Sequence, residues 1–380
     1  MRRPIGPRRL CCGVTPPRSR APRESRRVSL AQASGYVQLN QYRLLEPIGQ
    51  GSYGIVKLAY NEEDDTHYAM KILSKRKLMR RAGLFGPPPL APDPLQRVYR
   101  EIAVLKKLDH PNVVKLVEVL DDPAEDQLYL VFQLLEGGPV IDIPTDNPLS
   151  EDLARKYFRD SLLGVEYREF YQFHFQRIAH RDIKPANLLL GEDRVQVADL
   201  GACGELAAAG RLSGLVGTPA FRAPEAQNTQ HRYDGEAADL WSLGVTLFAM
   251  VTGRVPWYGD STAELQRRIL AEPLLFPPRP QLSRTLRHLL TRMLDKDPLR
   301  SDCTIQEHEW VTLNGKEPLP SEQENCRLVE VTDEDMERVV TSIPNLSTLI
   351  LIKTMLKKHS FQQLAQGRSY GAPDVETKES

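Results

Sequence analysis

The sequence is poor in cysteine, has no excess of one charge and contains no long apolar run. Its five cysteines follow no regular spacing among 380 residues, which argues against a disulfide framework and against a zinc site. Basic and acidic residues number 50 each, so charge gives no reason to expect a nucleic acid or a membrane as partner. No run reaches the ~18–20 apolar residues of a membrane span, and the N-terminus lacks the apolar core of a secretory signal. We therefore expect a cytoplasmic protein, also compatible with the nucleus.

The N-terminal segment, residues 1–36, is rich in arginine, proline and serine and has its first acidic residue at Glu24. Such a composition cannot bury enough apolar surface to offset the entropy of ordering, so this segment is predicted to be disordered. A mitochondrial transit peptide has a similar arginine-rich composition and is the alternative. Within the segment, Arg26, Arg27 and Ser29 form a pattern typical of sites for basophilic kinases.

A polar loop near the middle of the chain carries residue types that phosphoryl transfer from ATP requires. The chain reads H-R-D-x-x-x-x-N here, and D-x-G follows a short way on. Asp182 is predicted to accept a hydrogen bond from the incoming hydroxyl, and Lys184 to neutralise charge on the moving phosphoryl group. Asn187 and Asp199 offer oxygen ligands of the kind that Mg²⁺ prefers. The motif alone could be a polar surface loop, but with its partner motifs it resembles the catalytic loop of protein kinases.

Upstream, a glycine-rich stretch lies between two segments of alternating polarity. Its G-x-G-x-x-G pattern is followed by a strand pattern rather than by a helix, which disfavours a Rossmann dinucleotide site. Glycines there leave room for backbone amides to approach phosphates, although a plain hairpin would also use them. The nucleotide-site residues predicted in this stretch are Ile48, Gly49, Gly51, Ser52, Tyr53, Gly54 and Val56.

A strand that ends in lysine and a helix that carries a glutamate supply the next pair. An inward-facing Lys71 would be costly unless it pairs with ATP phosphates and with Glu101, as in kinases. Two solvated charges on separate elements are the alternative. Further on, a buried strand runs into a glycine-containing connection, where backbone groups are expected to bind the adenine. The nucleotide-site residues predicted here are Ala69, Lys71, Glu101, Phe132, Gln133 and Leu135, together with Asp199.

The second half of the chain is predicted to be mainly helical. A helix begins near Ser150, and the segment after D-x-G ends in A-P-E at Glu225, as kinase activation segments do. Asp239 lies at the predicted start of a strongly apolar helix. It is expected either to accept hydrogen bonds from backbone amides of the catalytic loop or to cap the helix. Two features depart from the kinase pattern. They are an aromatic stretch at 167–176 and Arg300, which lies one residue earlier than the usual partner of Glu225.

Five further segments narrow the family. They are residues 37–42, an arginine- and proline-rich insert at 80–94, and residues 105–116, 118–123 and 317–322. Together they resemble calcium/calmodulin-dependent protein kinase kinase. The resemblance implies an α+β, bilobal fold with a β-rich N-lobe (42–135) and a larger helical C-lobe (136–312). It also implies a serine/threonine kinase that uses ATP and Mg²⁺. The implied substrates are activation-loop threonines of calmodulin-dependent kinases types I and IV and of AMP-activated kinase. The insert is either a spacer or a substrate-docking loop.

The C-terminal tail combines apolar anchors, a methionine and a basic end, the composition of a calmodulin-target helix. A helix over 346–361 would span roughly 24 Å, enough to reach both lobes of calmodulin. Binding of Ca²⁺-loaded calmodulin is therefore predicted, and a helix packed permanently on the kinase is the alternative. The resemblance implies an autoinhibitory segment just before this helix, within a tail of residues 313–361, and residues 362–380 are predicted to be disordered. The predicted calmodulin contacts are Leu346, Ile350, Lys353, Met355, Lys357, Lys358 and Phe361.

The combined interpretation is an autoinhibited protein kinase that acts on other kinases and is activated by calmodulin. A monomer is expected because the chain shows no coiled-coil heptads. The alternative is a catalytically impaired pseudokinase or a calmodulin-binding scaffold, which the aromatic stretch and the displaced Arg300 suggest.

Overall fold

A computed structural model describes the greater part of the chain. The described residues are 21–33, 35–50, 54–77, 99, 102–103, 105–106, 108–169, 178–199, 204–205, 211–212, 216–227, 233–297 and 305–325. They form a β-rich N-lobe and a mainly helical C-lobe, so the predicted bilobal α+β fold is confirmed. Several features predicted from the sequence lie outside the described residues: the insert at 80–94, residues 170–177 of the aromatic stretch and its surroundings, Arg300 and the calmodulin-binding segment.

The N-lobe is built on one eight-stranded sheet. In sheet order the strands are β1 (Arg23–Ser25), β7 (Leu116–Asp121), β8 (Gln127–Gln133), β6 (Thr66–Ser74), β5 (Gly54–Asn61), β4 (Tyr42–Gln50), β3 (Tyr36–Leu39) and β2 (Leu30–Ala33). Only β1 and β7 pair in parallel among these strands. One face of the sheet packs a core that includes Tyr42, Met70 and Val131. Because side chains alternate along a strand, Lys71 lies on the other face.

The N-terminal segment enters the fold earlier than the sequence predicts. The prediction of disorder over residues 1–36 is wrong for residues 23–33, which supply strands at both edges of the N-lobe sheet. Ser25 Oγ donates to the buried Glu118 carboxylate at 2.5 Å, and Ser29 N donates to Asn40 Oδ1 at 2.7 Å. Composition averaged over a whole segment hides short stretches that gain backbone hydrogen bonds from an existing sheet edge.

Two long helices form the centre of the C-lobe. Helix α1 spans Glu151–Glu169 and begins directly after Ser150, as predicted, and helix α2 spans Gly235–Thr252. The two helices bury apolar side chains in a common core. Asp234 caps α2 by accepting hydrogen bonds from the next helical amides, so Asp239 is not the cap.

Shorter elements surround these helices in the part of the chain that the structure describes. The helices are α3 (Thr262–Ala271), α4 (Arg284–Met293), α5 (Glu309–Thr312) and α6 (Glu322–Asn325). The paired short strands are β9 (Ile178–Ala179) with β12 (Gly204–Glu205), β10 (Leu188–Leu190) with β11 (Val195–Val197), and β13 (Arg211–Leu212) with β14 (Tyr233–Asp234). None of the helices within the described ranges has the length and apolarity needed to cross a membrane.

Residues 313–325, which the sequence assigns to the tail, pack against the C-lobe. The guanidinium of Arg159 on α1 donates to two backbone carbonyls of this region, Glu317 O at 2.6 Å and Pro318 O at 3.2 Å, and to Val311 O just before it. Asn325 donates to Leu163 O of α1 at 3.1 Å. The folded C-lobe therefore extends beyond the predicted boundary at residue 312, because these polar groups find partners on α1.

Candidate active site

The catalytic loop, residues 180–187, is held in place by helix α2. Asp239 is 1% exposed and accepts hydrogen bonds from His180 N at 2.5 Å and Arg181 N at 2.8 Å. The expectation that it binds amides of this loop is thereby confirmed. His180 Nδ1 accepts from the amide two residues on, so its Nε2 carries the proton that it donates to Ala198 O at 3.0 Å. The loop is thus tied to α2 on one side and to the strand before the D-x-G motif on the other.

Asp182 lies at the centre of a polar network that includes both lysine and threonine. Its Oδ1 accepts from Thr218 N at 2.8 Å and from Thr218 Oγ1 at 2.7 Å. Its Oδ2 accepts from Lys184 Nζ at 2.8 Å, and Lys184 also donates to Thr218 Oγ1 at 2.8 Å. These contacts orient the carboxylate before any substrate binds. Thr218 is a site residue that the sequence analysis missed, although its G-T-P triplet just before A-P-E could have indicated it.

The hairpin of β10 and β11 brings Asn187 and Asp199 to the same side of the loop. Ala198 N donates to Asn187 O at 2.8 Å, so the two residues flank the open end of the hairpin. Asn187 Nδ2 donates to Asp182 O at 2.8 Å. Among the described residues no donor contacts Asn187 Oδ1, which leaves this amide oxygen available as a ligand at the same end of the hairpin as Asp199. Such oxygens are ligands for a hard divalent cation, so this pair fits a Mg²⁺ ion.

Lys71 connects the N-lobe sheet to this pair. Its Nζ lies 2.6 Å from Asp199 Oδ1, and its side chain is 13% exposed. Val56 pairs with Lys71 and Ala69 pairs with Phe132 in the sheet register, which puts all four predicted residues on one face. This half-buried face looks away from the N-lobe core. Glu101, the side-chain partner predicted for Lys71, lies outside the described residues.

The glycine-rich stretch contains one glycine that packing explains. A Cβ on Gly54 would meet Ile72 O at 1.8 Å, so only glycine lets β5 approach β6 this closely. A Cβ on Gly49 would make ordinary contacts with its sheet partner Val56, and Ile48 beside it is 47% exposed. The remaining predicted residues of this stretch lie outside the described part of the chain: Gly51, Ser52 and Tyr53.

The connection after β8 leads the chain from the N-lobe into the C-lobe. Gln133 N donates to Lys115 O at 3.1 Å, so this amide is used within the fold. Leu135 is buried, and no backbone carbonyl among the described residues accepts from its N–H. The geometry therefore favours Leu135 over Gln133 as an amide donor to a purine base.

The A-P-E glutamate borders the site on the activation-segment side. Burial raises the pKa of Glu225, and the nearby carboxylate of Asp234 raises it further. Within the described ranges no arginine or lysine lies within 4 Å of this carboxylate. The predicted partner, Arg300, lies outside those ranges, so its pairing stays a prediction.

Two contacts together are typical of a protein kinase. Lys71 of the N-lobe contacts Asp199 of the C-lobe, and the loop aspartate Asp182 is bound by a lysine and a threonine. The protein kinase domain family matches residues 42–311, and the chain belongs to this family. It is a serine/threonine protein kinase of the calcium/calmodulin-dependent protein kinase kinase group, with 49% identity over 369 residues to calcium/calmodulin-dependent protein kinase kinase of Caenorhabditis elegans. That match covers 93% of this chain and 67% of the nematode protein.

Two more distant relatives are also serine/threonine protein kinases. A probable serine/threonine-protein kinase of Dictyostelium discoideum is 35% identical over 308 residues, which is 80% of this chain and 42% of the relative. Serine/threonine-protein kinase ssp1 of Schizosaccharomyces pombe is 38% identical over 333 residues, which is 82% of this chain and 49% of the relative. The chain thus spans only about half the length of these two relatives.

Proposed function

We propose that this kinase transfers the γ-phosphate of ATP to activation-loop threonines of downstream protein kinases. The proposed substrates are calmodulin-dependent kinases types I and IV and AMP-activated kinase. The single observation that supports a competent enzyme best is the set of contacts that hold Asp182 between Lys184 and Thr218. The name of the nematode relative, calcium/calmodulin-dependent protein kinase kinase, supports the substrate class.

In this proposal each polar side chain of the network has a defined task. The threonine hydroxyl of the substrate donates a hydrogen bond to Asp182 and transfers its proton to that carboxylate as its oxygen attacks the γ-phosphorus. The bond from that phosphorus to the β-phosphate oxygen breaks, and ADP leaves. Lys184 is close enough to Asp182, at 2.8 Å, to neutralise negative charge on the group in transfer. Lys71 holds the phosphates of ATP from the N-lobe side.

We assign Asn187 and Asp199 as the protein ligands of Mg²⁺. Within the described residues there is no cluster of three or more histidine, cysteine, aspartate or glutamate side chains that could hold a metal. Two oxygen ligands from the protein suit Mg²⁺, which usually keeps several waters and binds substrate phosphates. When bound, the ion supplies charge neutralisation at the phosphates.

Transfer to a catalytically inactive type I calmodulin-dependent kinase tests the proposed activity. Wild type is expected to add one phosphate to the activation-loop threonine, located by mass mapping. Asp182→Asn is expected to lower the rate about 10²–10⁴-fold, the range for loss of a general base. Asp193→Asn, in the exposed turn of the β10–β11 hairpin, is the matched control with an unchanged rate. Equal rates for wild type and Asp182→Asn would contradict the proposal.

We further propose that the tail inhibits the kinase and that Ca²⁺-loaded calmodulin releases it. The apolar and basic residues of 346–361 support this regulation. Full-length protein is expected to become more active when calmodulin and Ca²⁺ are added together, and a Leu346→Asp/Phe361→Asp variant is expected not to respond. Activity that is high and unaffected by calmodulin in wild type would contradict this part of the proposal.

The remaining proposals are a monomeric state and a cytoplasmic location that extends to the nucleus. The monomeric state is supported by the lack of coiled-coil heptads in the sequence, and the location by five cysteines without regular spacing, which favour a reducing compartment. Sedimentation of purified protein and imaging of a tagged full-length protein test them.

A further inference from the structure

Arg222 lies between the G-T-P triplet and the A-P-E motif, and its guanidinium is half-buried. Its Nε donates to Val216 O at 3.1 Å and its Nη2 donates to Gly217 O at 2.8 Å. Within the described ranges no carboxylate lies within 4 Å of this guanidinium. Burial lowers the pKa of Arg222, as expected for a cation that has left water without an adjacent anion. The hydrogen bonds to these two carbonyls are therefore the main polar contacts of the side chain.

The peptide unit between Gly217 and Thr218 forms a hydrogen bond to a charged side chain on each of its two sides. In a trans peptide the carbonyl and the N–H point in opposite directions. Here the carbonyl accepts from the Arg222 guanidinium, and the N–H donates to Asp182 Oδ1 at 2.8 Å. Hydrogen bonds in such a chain polarise one another, so the cation strengthens the amide as a donor to the carboxylate.

The same peptide unit cannot move closer to the catalytic loop. Gly217 has a φ of +84°, and a Cβ built on it would lie 2.0 Å from Arg181 O. Only glycine fits at this distance. The unit is therefore packed against the catalytic loop on one side and attached to Arg222 on the other.

Helix α2 supports Arg222 as well as the catalytic loop. Ser242 Oγ donates to Phe221 O at 2.8 Å, directly before Arg222, and Gln227 Nε2 donates to Arg222 O at 3.0 Å. Asp239, one turn earlier on the helix, holds the catalytic loop. One rigid element thus sets the position of both segments that meet at Asp182.

From this geometry we infer that Arg222 is a positioning residue for phosphoryl transfer, which holds Thr218 against Asp182 through the Gly217–Thr218 peptide unit. The inference rests on the proposed role of Asp182 and deepens it. Arg222 acts on the reaction only through Thr218. Its loss is therefore expected to lower kcat without weakening nucleotide binding.

Two substitutions and one double-mutant cycle test this role in the full-length protein. Arg222→Met, which keeps the stem and removes the charge, is expected to lower kcat at least tenfold, with KM for ATP within twofold of wild type. Arg222→Lys keeps the charge but has no planar fork for two carbonyls, so at least a threefold loss of kcat is expected. In a Thr218→Val background, which removes the hydroxyl contact to Asp182 and keeps the amide contact, Arg222→Met is expected to lower kcat by a smaller factor than in wild type, because one of the two contacts that Arg222 positions is already lost.

The readouts separate positioning from folding and from substrate choice. Thermal midpoint and MgADP binding are measured for every variant, and both phosphorylation of a downstream kinase and phosphorylation of myelin basic protein are followed. Failure of wild type on the downstream kinase alone would contradict the proposed substrate class, and the general acceptor would still decide the role of Arg222. Wild-type kcat in both Arg222 variants would overturn the inference. An equal effect of Arg222→Met with and without the Thr218 hydroxyl, or failure of both Arg222 variants to fold, would also overturn it.

Discussion

The buried carboxylates of Asp239 and Glu225 differ in the hydrogen bonds that replace their hydration. Asp239 is almost fully buried and accepts hydrogen bonds from two backbone amides of the catalytic loop. Glu225 is partly buried, its pKa is raised by burial, and within the described ranges no cation lies within 4 Å of it. A buried carboxylate is stable where hydrogen bonds replace its hydration, and it destabilises the fold where they do not. The catalytic loop is therefore the better-supported edge of this site.

His308 is intermediate between Asp239 and Glu225, because its hydrogen bonds are satisfied in only one protonation state. His308 Nδ1 accepts from Trp310 N at 3.2 Å, so its Nε2 carries a proton and donates to His288 Nδ1 at 2.8 Å. Protonation of His308 would bring its Nδ1–H face to face with the N–H of Trp310. The buried His308 ring is therefore satisfied only while it is neutral, which makes its contribution depend on pH.

The largest effect is expected when the support of the catalytic loop is removed. Asp239→Ala leaves two amides of that loop without an acceptor, at a cost of about 2–4 kcal/mol in the free energy of unfolding. The same change is expected to lower kcat at least tenfold because Asp182 loses its fixed position. Chemical denaturation and steady-state kinetics measure the two effects.

The matched control is Asp234→Ala, which removes the cap of the same helix. It is expected to cost about 1 kcal/mol and to leave kcat within twofold of wild type. Similar kinetics for both alanine variants would refute the special role of Asp239.

An intermediate effect is expected from the histidine pair. Burial lowers the pKa of His308, and the nearby His288 and Arg292 lower it further, whereas Glu309 opposes the shift. A lowered pKa contributes stability above the ordinary histidine pKa of about 6.5, and this contribution is lost as pH falls below that value. The thermal midpoint of wild type is therefore expected to decrease between pH 7 and pH 5.

His308→Asn keeps an N-cap acceptor for helix α5 and removes the titration. Its thermal midpoint is expected to decrease less over the same pH range. The slope of its free energy of unfolding against pH is expected to be smaller than that of wild type by the equivalent of at most one bound proton. Parallel pH profiles for wild type and His308→Asn would show that this pair does not carry the dependence.

The smallest effect is expected at Glu225. Its raised pKa means that stability from this group is present below the ordinary glutamate pKa and is lost as pH rises towards neutrality. Glu225→Gln is therefore expected to raise the thermal midpoint at pH 7 by about 1–3 °C and to lose this advantage near pH 4.

Glu307→Gln, at an exposed position, is the control and is expected to leave the midpoint unchanged at both pH values. A double-mutant cycle with Arg300→Gln tests the pairing predicted from the sequence. A coupling above about 1 kcal/mol between the two positions would mean that Glu225 has its partner after all.

The sequence predicts the parts of this site that short motifs define. The catalytic loop, the strand lysine and the aspartate of the D-x-G motif can each be recognised in the sequence because their motifs have a fixed local spacing. The structure places two of these predicted residues, Lys71 and Asp199, 2.6 Å apart, although the side-chain partner predicted for Lys71 is Glu101. The start of α1 at Ser150 follows from local capping chemistry in the same way.

The parts that were missed depend on contacts between distant segments. The strands at 23–33 exist because they find the edges of a sheet, and residues 313–325 are ordered because Arg159 and Leu163 supply partners on α1. Arg222 has no local pattern that reveals a role, since it binds a backbone carbonyl that folding brings to it. Thr218 was missed although its G-T-P triplet could have indicated it, because its contact with Asp182 joins distant segments. Tertiary hydrogen bonds of this kind leave little trace in composition or periodicity.

The proposed phosphoryl transfer depends most on a nucleotide site formed by Lys71 of the N-lobe and Asp199 of the C-lobe. Calorimetric titration of full-length wild type with ADP, with and without Mg²⁺, tests it directly, with Asp199→Asn as the variant and Asp193→Asn as the control. Wild type and Asp193→Asn are expected to bind at least tenfold more tightly when Mg²⁺ is present, and Asp199→Asn is expected to lose that gain. Absence of binding in wild type, or an unchanged response to Mg²⁺ in Asp199→Asn, would contradict the account.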